Sequence, residues 1–255
     1  MATTQPNLRA LIVHACAGGV LPVTPGLLTD TYFDQPLQEI QAKAFVTEGL
    51  FASERHILMY GPTGCGKSSL LDAFILHALT VKRRTALYLA PTRALASQFQ
   101  RTFLERYRSL LNETRPDWRR KTEEHVVLSS GDNADYDHRI LNGLNGLICI
   151  VTEKANIFMS DPQRSQAFLN GLGCVIVDEL HMIGDEMRGG VVDQLLAKLS
   201  LLQTQRAVSD APCRVIGVTT DTFGQDLALR RCSTTSTERP HSNLMPLCAR
   251  FQPHM

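Results

Sequence analysis

Short apolar runs recur along the chain, and the stretches between them carry apolar residues at helical spacing. The runs are nearly continuous rather than alternating, which is typical of strands buried on both faces of a parallel sheet. Strands that alternate with helices predict an α/β fold, with a parallel central sheet flanked by helices. The predicted strands are residues 56–60, 85–89, 126–128, 147–151, 174–177 and 214–218. The predicted helices are residues 68–79, 94–111, 163–169 and 190–202.

This alternation covers only the middle of the chain. Residues 1–35 contain Pro and Gly without clear periodicity, so we expect an irregular N-terminal extension there. After residue 225 the pattern is lost, and residues 226–255 are expected to form a C-terminal tail or a linker. The sequence therefore predicts one domain over residues 36–225.

Composition narrows the class of protein. The chain has 255 residues, of which 44% are hydrophobic and 20% charged, as in globular proteins. Lys and Arg number 26 against 25 Asp and Glu, so bulk charge cannot bind nucleic acid and any phosphate contact must be local. The seven cysteines lack disulfide or zinc spacing. We expect an intracellular protein without a membrane partner, nuclear if eukaryotic and otherwise cytoplasmic.

The most specific motif is a glycine-rich loop of the form G-x-x-x-x-G-K-[ST], between a predicted strand and a predicted helix. Such a loop points backbone N–H groups at phosphate oxygens, and the helix N-terminus adds positive charge. Lys67 is expected to reach the β and γ phosphates, and Ser68 to ligate Mg²⁺. The alternative is a chance glycine-rich turn. The predicted ATP site comprises Gly61, Pro62, Thr63, Gly64, Cys65, Gly66, Lys67, Ser68 and Ser69.

A pair of carboxylates, Asp178 and Glu179, ends a predicted buried strand. Carboxylates at such a place are costly unless a cation meets them. Together with the glycine-rich loop, Asp178 is expected to bind Mg²⁺, and Glu179 to act as general base for the attacking water. Taken alone, an acidic pair is a weak signal for a metal site. A single histidine such as His181 is more often structural than catalytic.

The wider motif Asp178-Glu179-Leu180-His181 resembles the DExH box of superfamily 2 helicases. Residues 177–185 resemble the helicase domain of DNA polymerase theta and its repair-helicase relatives in the Ski-like branch. Other segments resemble the family's motifs in the same order: residues 91–96 resemble motif Ia, residues 130–132 its S/T-G-D element, and residues 152–156 its T-x-E-K-A-N segment. The resemblance covers residues 36–222.

This resemblance implies a RecA-like P-loop domain in which Gln41 reads the adenine edge. It also implies a catalytic set of Lys67, Asp178, Glu179 and His181, and coupling of nucleotide state to strand movement through Thr219 and Thr220. The alternative for Thr92 and Thr152 is ordinary helix N-capping. The residues implied to hold one nucleic-acid strand are Thr92, Arg93, Gly131, Asp132, Thr152, Glu153 and Lys154.

The sequence departs from the family in two places. Residues 218–222 read V-T-T-D-T where the family has Ser-Ala-Thr, which puts coupling in doubt. The residues after Thr222 are too few for a second RecA-like domain, which carries arginines for the γ-phosphate. We expect an ATP-dependent motor domain acting on single-stranded or partly duplex DNA, with a second RecA-like domain as a partner in trans. The alternative is an ATP-dependent binding module that does not unwind.

A basic cluster at residues 115–121 contains the single tryptophan, Trp118. Two interpretations stay open for this cluster. It is either a nucleic-acid contact in which Trp118 stacks on a base, or a solvated loop, which is the more common role of a charged run.

Overall fold

The computed structural model describes residues 6–17, 25–185, 189–205, 213–220 and 244–248. Its strands are β1 (His56–Tyr60), β2 (Thr85–Ala90), β3 (Val126–Ser129), β4 (Leu147–Val151), β5 (Leu172–Val177), β6 (Arg214–Thr219) and β7 (Leu244–Cys248). Its α-helices are α1 (Leu8–Cys16), α2 (Glu39–Val46), α3 (Lys67–Leu76), α4 (Arg93–Thr114), α5 (Asp137–Leu141), α6 (Thr152–Phe158), α7 (Pro162–Gly171) and α8 (Gly189–Gln205).

The strands form one sheet in the order β3-β4-β2-β5-β6-β1-β7, and every pairing is parallel. All six predicted strands and all four predicted helices are present, with ends that differ by a few residues. The α/β prediction is therefore confirmed. Parallel strands place their carboxyl ends at one edge of the sheet, where ligand sites of α/β proteins lie.

Alternate residues of the central strands point to opposite faces of the sheet, and each face is covered. Ile57 and Met59 of β1 belong to a core shared with α1, α3 and α4, whereas Leu58 belongs to the opposite core. This double burial explains why the strands are nearly continuous apolar runs.

The prediction of a C-terminal tail after residue 225 is wrong at β7, which pairs in parallel with β1 at the edge of the sheet. The pattern missed this strand because Pro246 interrupts it. Proline is tolerated on an edge strand, where one side of the backbone has no partner strand. The rest of the predicted loop lies outside the described residues.

The prediction that residues 1–35 are irregular is wrong for α1. Its buried residues Leu8, Leu11, Ile12, Ala15 and Cys16 form one apolar stripe, and this stripe packs against α3. The Asn7 side chain caps the helix by accepting a hydrogen bond from the Ala10 N–H at 3.0 Å. The N-terminal helix is thus part of the domain.

The basic cluster is divided between surface and core. Arg119, Arg120 and Lys121 are exposed, as expected for a solvated loop, but the interpretation in which Trp118 stacks on a base is wrong. Trp118 is fully buried and stacks on the His125 ring at 4.6 Å between centroids. The Arg115 guanidinium covers it at 4.1 Å and donates to the Leu79 carbonyl oxygen at 2.8 Å. Trp118 and Arg115 therefore serve the core, and neither is exposed to a ligand.

None of the helices that the structure describes combines the length and the apolar character that crossing a bilayer requires.

Candidate functional site

The glycine-rich loop connects the carboxyl end of β1 to the first residue of α3. Gly64 and Gly66 have φ values of 82° and 89°, which L side chains rarely adopt. A Cβ at Gly66 would also lie 2.8 Å from the Gln41 Cδ atom. Glycine at position 66 is therefore required twice, by its backbone conformation and by its neighbour.

Lys67 is buried, and its ammonium group lies over the loop. The Nζ atom donates to the Gly61 and Pro62 carbonyl oxygens at 2.6 and 2.8 Å. The Cys65 Sγ atom lies 3.8 Å from the same nitrogen. Two carbonyl oxygens of the loop thus hold the cation in place.

A cavity of about 380 Å³ opens beside this loop. It has the size of a small-molecule site. Its walls come from the loop, from the N-terminal segment, and from the carboxyl ends of β5 and β6. The lining residues are Leu8, Tyr32, Gln35, Pro36, Gln38, Gln41, Thr63, Gly64, Gly66, Lys67, Ser68, Ser69, Leu71, Asp178, Glu179, Val218 and Thr220.

Gln41 lies on α2 and is buried against the loop. Its Nε2 donates to the Gly66 carbonyl oxygen at 3.0 Å, and its Oε1 accepts from the Gln38 N–H at 2.9 Å. An amide side chain can make four hydrogen bonds, so one donor and one acceptor position remain after these two contacts. Gln41 ties the N-terminal segment to the loop and keeps capacity for a ligand.

The sequence analysis missed the N-terminal wall of the cavity. Tyr32 lines it and hydrogen-bonds the Ser69 hydroxyl, while the Arg106 guanidinium lies 4.2 Å above the Tyr32 ring. Residues 31–34 form a short 3₁₀ helix capped by Asp30. The available signal was the Asp30 cap before an aromatic pair, which is too local to predict a cavity wall.

Asp178 follows β5 directly, and both of its carboxylate oxygens accept hydrogen bonds. Oδ1 accepts from the Glu179 N–H at 3.0 Å, and Oδ2 accepts from the Tyr88 hydroxyl. Tyr88 lies on the neighbouring strand β2. The sequence analysis missed Tyr88, although the hydroxyl of a buried tyrosine usually has a hydrogen-bond partner.

Glu179 turns the chain away from the sheet. Its backbone is left-handed, with φ 50° and ψ 47°, a conformation that costs a non-glycine residue about 1–2 kcal/mol. The His181 Nδ1 atom lies 3.2 Å from the Glu179 Oε2 atom. Glu179 also lines the cavity, so the strained turn brings its carboxylate next to the loop.

Thr219 and Thr220 follow the end of β6. Thr219 is buried, and Thr220 is exposed and lines the cavity beside Asp178 and Glu179. Residues 221 and 222, which complete the departing motif, lie outside the described residues.

The residues that line the cavity fit a magnesium nucleoside triphosphate. Mg²⁺ prefers hard oxygen ligands, and the exposed Ser68 hydroxyl and the Asp178 carboxylate both face the cavity. The Lys67 ammonium and the N-terminus of α3 favour phosphate at the same place.

A second polar region lies at the carboxyl ends of β2, β3 and β4. We call it the polar face, and it consists of Thr92, Arg93, Gly131, Asp132, Thr152, Glu153 and Lys154. Thr92 caps α4, because its Oγ1 accepts from the Leu95 N–H at 3.3 Å. Arg93 forms an ion pair with Asp132, and both side chains are largely exposed.

Two other side chains of the polar face, those of Lys154 and Thr152, make hydrogen bonds within the protein. Lys154 is only 11% exposed, and its Nζ contacts the Ser130 carbonyl, the Asn133 carbonyl and the Asp137 Oδ2 at 2.6, 3.0 and 2.8 Å. Thr152 is buried and donates to the Ala90 carbonyl oxygen at 3.2 Å. Glu153 is exposed. Lys154 therefore holds the loop that carries Asp132.

Fold and site together define a P-loop nucleotide-binding domain of the parallel-sheet type. The chain belongs to the DEAD/DEAH box helicase family, whose model matches residues 38–223. This match, together with the relatives below, supports the Ski-like branch of superfamily 2.

The curated relatives are larger proteins. The chain is 25% identical over 168 residues to the ATP-dependent DNA helicase Hel308 of Methanococcus vannielii, covering 64% of this chain and 20% of Hel308. It is 31% identical over 147 residues to the helicase POLQ-like of Caenorhabditis elegans, covering 54% of this chain and 13% of that protein. The chain thus spans a fifth or less of these two relatives.

Solved helicase structures share the fold. The Mycobacterium smegmatis helicase Lhr, bound to single-stranded DNA and AMP-PNP, matches 90% of this chain and 28% of its own with a TM-score of 0.58 and 22% identity. The DUF1998 helicase MrfA bound to DNA matches 88% and 29%, with a TM-score of 0.61 and 15% identity. The RecA-like architecture is therefore shown.

Proposed function

We propose that this chain is the first motor domain of an ATP-dependent DNA helicase, which binds ATP with Mg²⁺ and one nucleic-acid strand. One observation carries the proposal: a single cavity brings Lys67 and Ser68 together with Asp178 and Glu179, which lie in a distant part of the chain. The name of the Hel308 relative, an ATP-dependent DNA helicase, supports the same activity.

The proposed chemistry follows from the position of each group. The loop N–H groups and Lys67 hold the phosphates, and Ser68 and Asp178 hold the metal. Bound Mg²⁺ would neutralise charge on the phosphates. Glu179 orients the attacking water and accepts its proton, and the His181 ring lies beside that carboxylate. Thr220 lines the same cavity as these carboxylates and, with Thr219, is proposed to couple the nucleotide state to strand movement.

The polar face is proposed to hold the phosphate backbone of one strand. Arg93 supplies an exposed cation there, and the N-terminus of α4 adds backbone N–H groups. Contacts of this type position a strand without reading its sequence. Gly131, Asp132, Thr152 and Glu153 shape the surface around Arg93.

A second candidate function is an ATP-dependent binding module that does not unwind. Among the residues that the structure describes, Lys67 is the one cation that lines the cavity. Phosphoryl transfer in related enzymes gains about 1000-fold or more from an additional arginine. A second RecA-like domain in trans is proposed to supply that arginine.

Steady-state ATP turnover of the purified chain, with and without single-stranded DNA, tests the first proposal. Turnover that DNA stimulates supports a motor domain, and a strand-displacement assay then shows whether a duplex is opened. Nucleotide binding without turnover in either condition favours the binding module. A chain that binds no nucleotide with Mg²⁺ present contradicts both functions.

A further inference from the structure

Within β2, Tyr88 is the residue whose side chain hydrogen-bonds Asp178, one of the carboxylates that line the cavity. It is 3% exposed, and its ring stacks on the Phe99 ring of α4 with centroids 3.8 Å apart and planes 9° apart. Backbone pairing fixes its strand as well, since Tyr88 is in register with Ile176 of β5. Both the ring and the backbone of Tyr88 are therefore held in place.

The Tyr88 hydroxyl donates to the Asp178 Oδ2 atom, two residues beyond that register. The other oxygen, Oδ1, accepts from the Glu179 N–H at 3.0 Å. Two donors on opposite oxygens fix the plane of a carboxylate. Each oxygen of an ionised carboxylate has two acceptor positions, so one position on each remains for the cavity.

The Tyr88 hydroxyl is the donor in this hydrogen bond, because an ionised carboxylate only accepts. Groups that hydrogen-bond a metal ligand orient it, and their loss typically lowers metal affinity about 10- to 100-fold.

We propose that Tyr88 is a positioning residue for magnesium binding, because it fixes the Asp178 carboxylate so that its remaining acceptor positions face the cavity. This inference rests on the proposed function, in which Asp178 holds the metal. Tyr88 itself touches neither nucleotide nor metal.

The test is Tyr88→Phe in the full chain, which removes the hydroxyl and keeps the ring stacked on Phe99. Binding of a fluorescent ATP analogue is measured by titration with Mg²⁺ and, separately, in excess EDTA. We expect the Mg²⁺ concentration for half-maximal enhancement of binding to rise about tenfold. We expect the affinity in EDTA to equal that of the wild type, because the glycine-rich loop is unchanged.

Tyr107→Phe is the matched control. Tyr107 is also fully buried, and its hydroxyl donates to the Asp72 Oδ2 atom at 3.0 Å, within the same domain. Both variants lose one buried Tyr–Asp hydrogen bond, so both are expected to unfold at a lower temperature. Only Tyr88→Phe is expected to change the Mg²⁺ dependence.

An unchanged Mg²⁺ dependence in Tyr88→Phe overturns the inference, and so does an equal shift in both variants. A further shift when Tyr88→Phe is added to Asp178→Asn overturns it as well, since Tyr88 would then act independently of Asp178. A wild-type chain that binds the analogue equally well with Mg²⁺ and with EDTA instead overturns the assignment of Asp178, and with it the role of Tyr88.

Discussion

The cavity and the polar face lie at the same edge of one sheet, yet they differ in whether their charged groups border a common space. In the cavity, Lys67, Asp178 and Glu179 all line one space, although the Lys67 ammonium group also donates to two carbonyl oxygens of its loop. On the polar face, Lys154 and Thr152 are turned inward to backbone carbonyls, and the exposed Arg93 is paired with Asp132. The same kind of sequence motif thus marks groups that line a cavity in one region and supporting groups in the other.

We attribute this difference to what each region is proposed to bind. A small, highly charged ligand needs several groups held around one point, and burial strengthens their electrostatic effect. A strand backbone needs only a few contacts spread along a stable surface. Substitutions in the cavity should therefore remove chemistry or binding outright, whereas substitutions on the polar face should act gradually or through stability.

The largest effect is expected from Glu179→Gln, which removes a base and keeps the shape of the side chain. ATP turnover should fall about 1000-fold, within the range for loss of a general base, while nucleotide affinity stays close to the wild type. Turnover and analogue binding are measured on the same preparation. Glu105→Gln, at an exposed position on α4, is the control; wild-type turnover in Glu179→Gln would remove Glu179 from the role of base.

Lys67→Ala should weaken nucleotide binding about 1000-fold, because the cavity loses a buried cation that makes charge-assisted hydrogen bonds. Affinity is measured by calorimetry with ATP and Mg²⁺. Lys43→Ala serves as the control, since Lys43 is 46% exposed and pairs with Glu39 on the surface of α2. Equal affinity of Lys67→Ala and the wild type would contradict the nucleotide site.

On the polar face, Lys154→Met should lower the free energy of unfolding by about 2 kcal/mol and weaken binding of single-stranded DNA. The reason is that the loop carrying Asp132 loses two lysine contacts, and Asp137 of α5 loses its ion pair with the same lysine. Denaturant unfolding and fluorescence anisotropy measure the two effects.

Lys198→Met is the matched control for that prediction. Lys198 also makes three internal contacts, to the Asn156 carbonyl, the Asn156 Oδ1 and the Ser160 Oγ at 3.1, 2.6 and 2.8 Å, but it lies on α8. A similar loss of stability with unchanged DNA affinity is expected. Equal weakening of DNA binding by both substitutions would mean that Lys154 has no specific effect on the polar face.

The smallest effect is expected from Asp132→Asn. This substitution should raise the affinity for DNA, whereas the loss of a contact to DNA would lower it. Removing the Asp132 charge frees Arg93 for phosphate, so DNA affinity should rise about two-fold at low salt, as expected for an exposed ion pair. Anisotropy at two salt concentrations checks this rise. A fall in affinity would show that Asp132 itself contributes a favourable contact to the strand.

Sequence patterns located the sheet and the cavity for physical reasons that can be named. Strands buried on both faces are continuous apolar runs, and a phosphate loop needs glycines at positions such as Gly66. The positions of Lys67, Ser68, Asp178 and Glu179 follow once the order of parallel strands is known.

Other parts depended on tertiary contacts that a local pattern does not contain. The sequence does contain the apolar stripe of α1, at positions 8, 11, 12, 15 and 16. The helix that this stripe packs against, α3, lies far along the chain. Nothing near Lys154 shows that it bonds carbonyls of residues 130 and 133. The segment that contains Trp118 and Arg115 was interpreted as a surface cluster. Charged residues flank the tryptophan in the sequence, and a local pattern does not show that its ring is buried.

The N-terminal wall of the cavity has a practical consequence for anyone who wishes to express this domain. The family match begins at residue 38, whereas Leu8, Tyr32 and Gln35 precede it and line the cavity. A protein truncated at the family boundary would lose these residues together with α1. It would also expose the apolar surface of α3 that α1 covers, so its aggregation or its weak nucleotide binding would reflect the cloning boundary and not the catalytic residues.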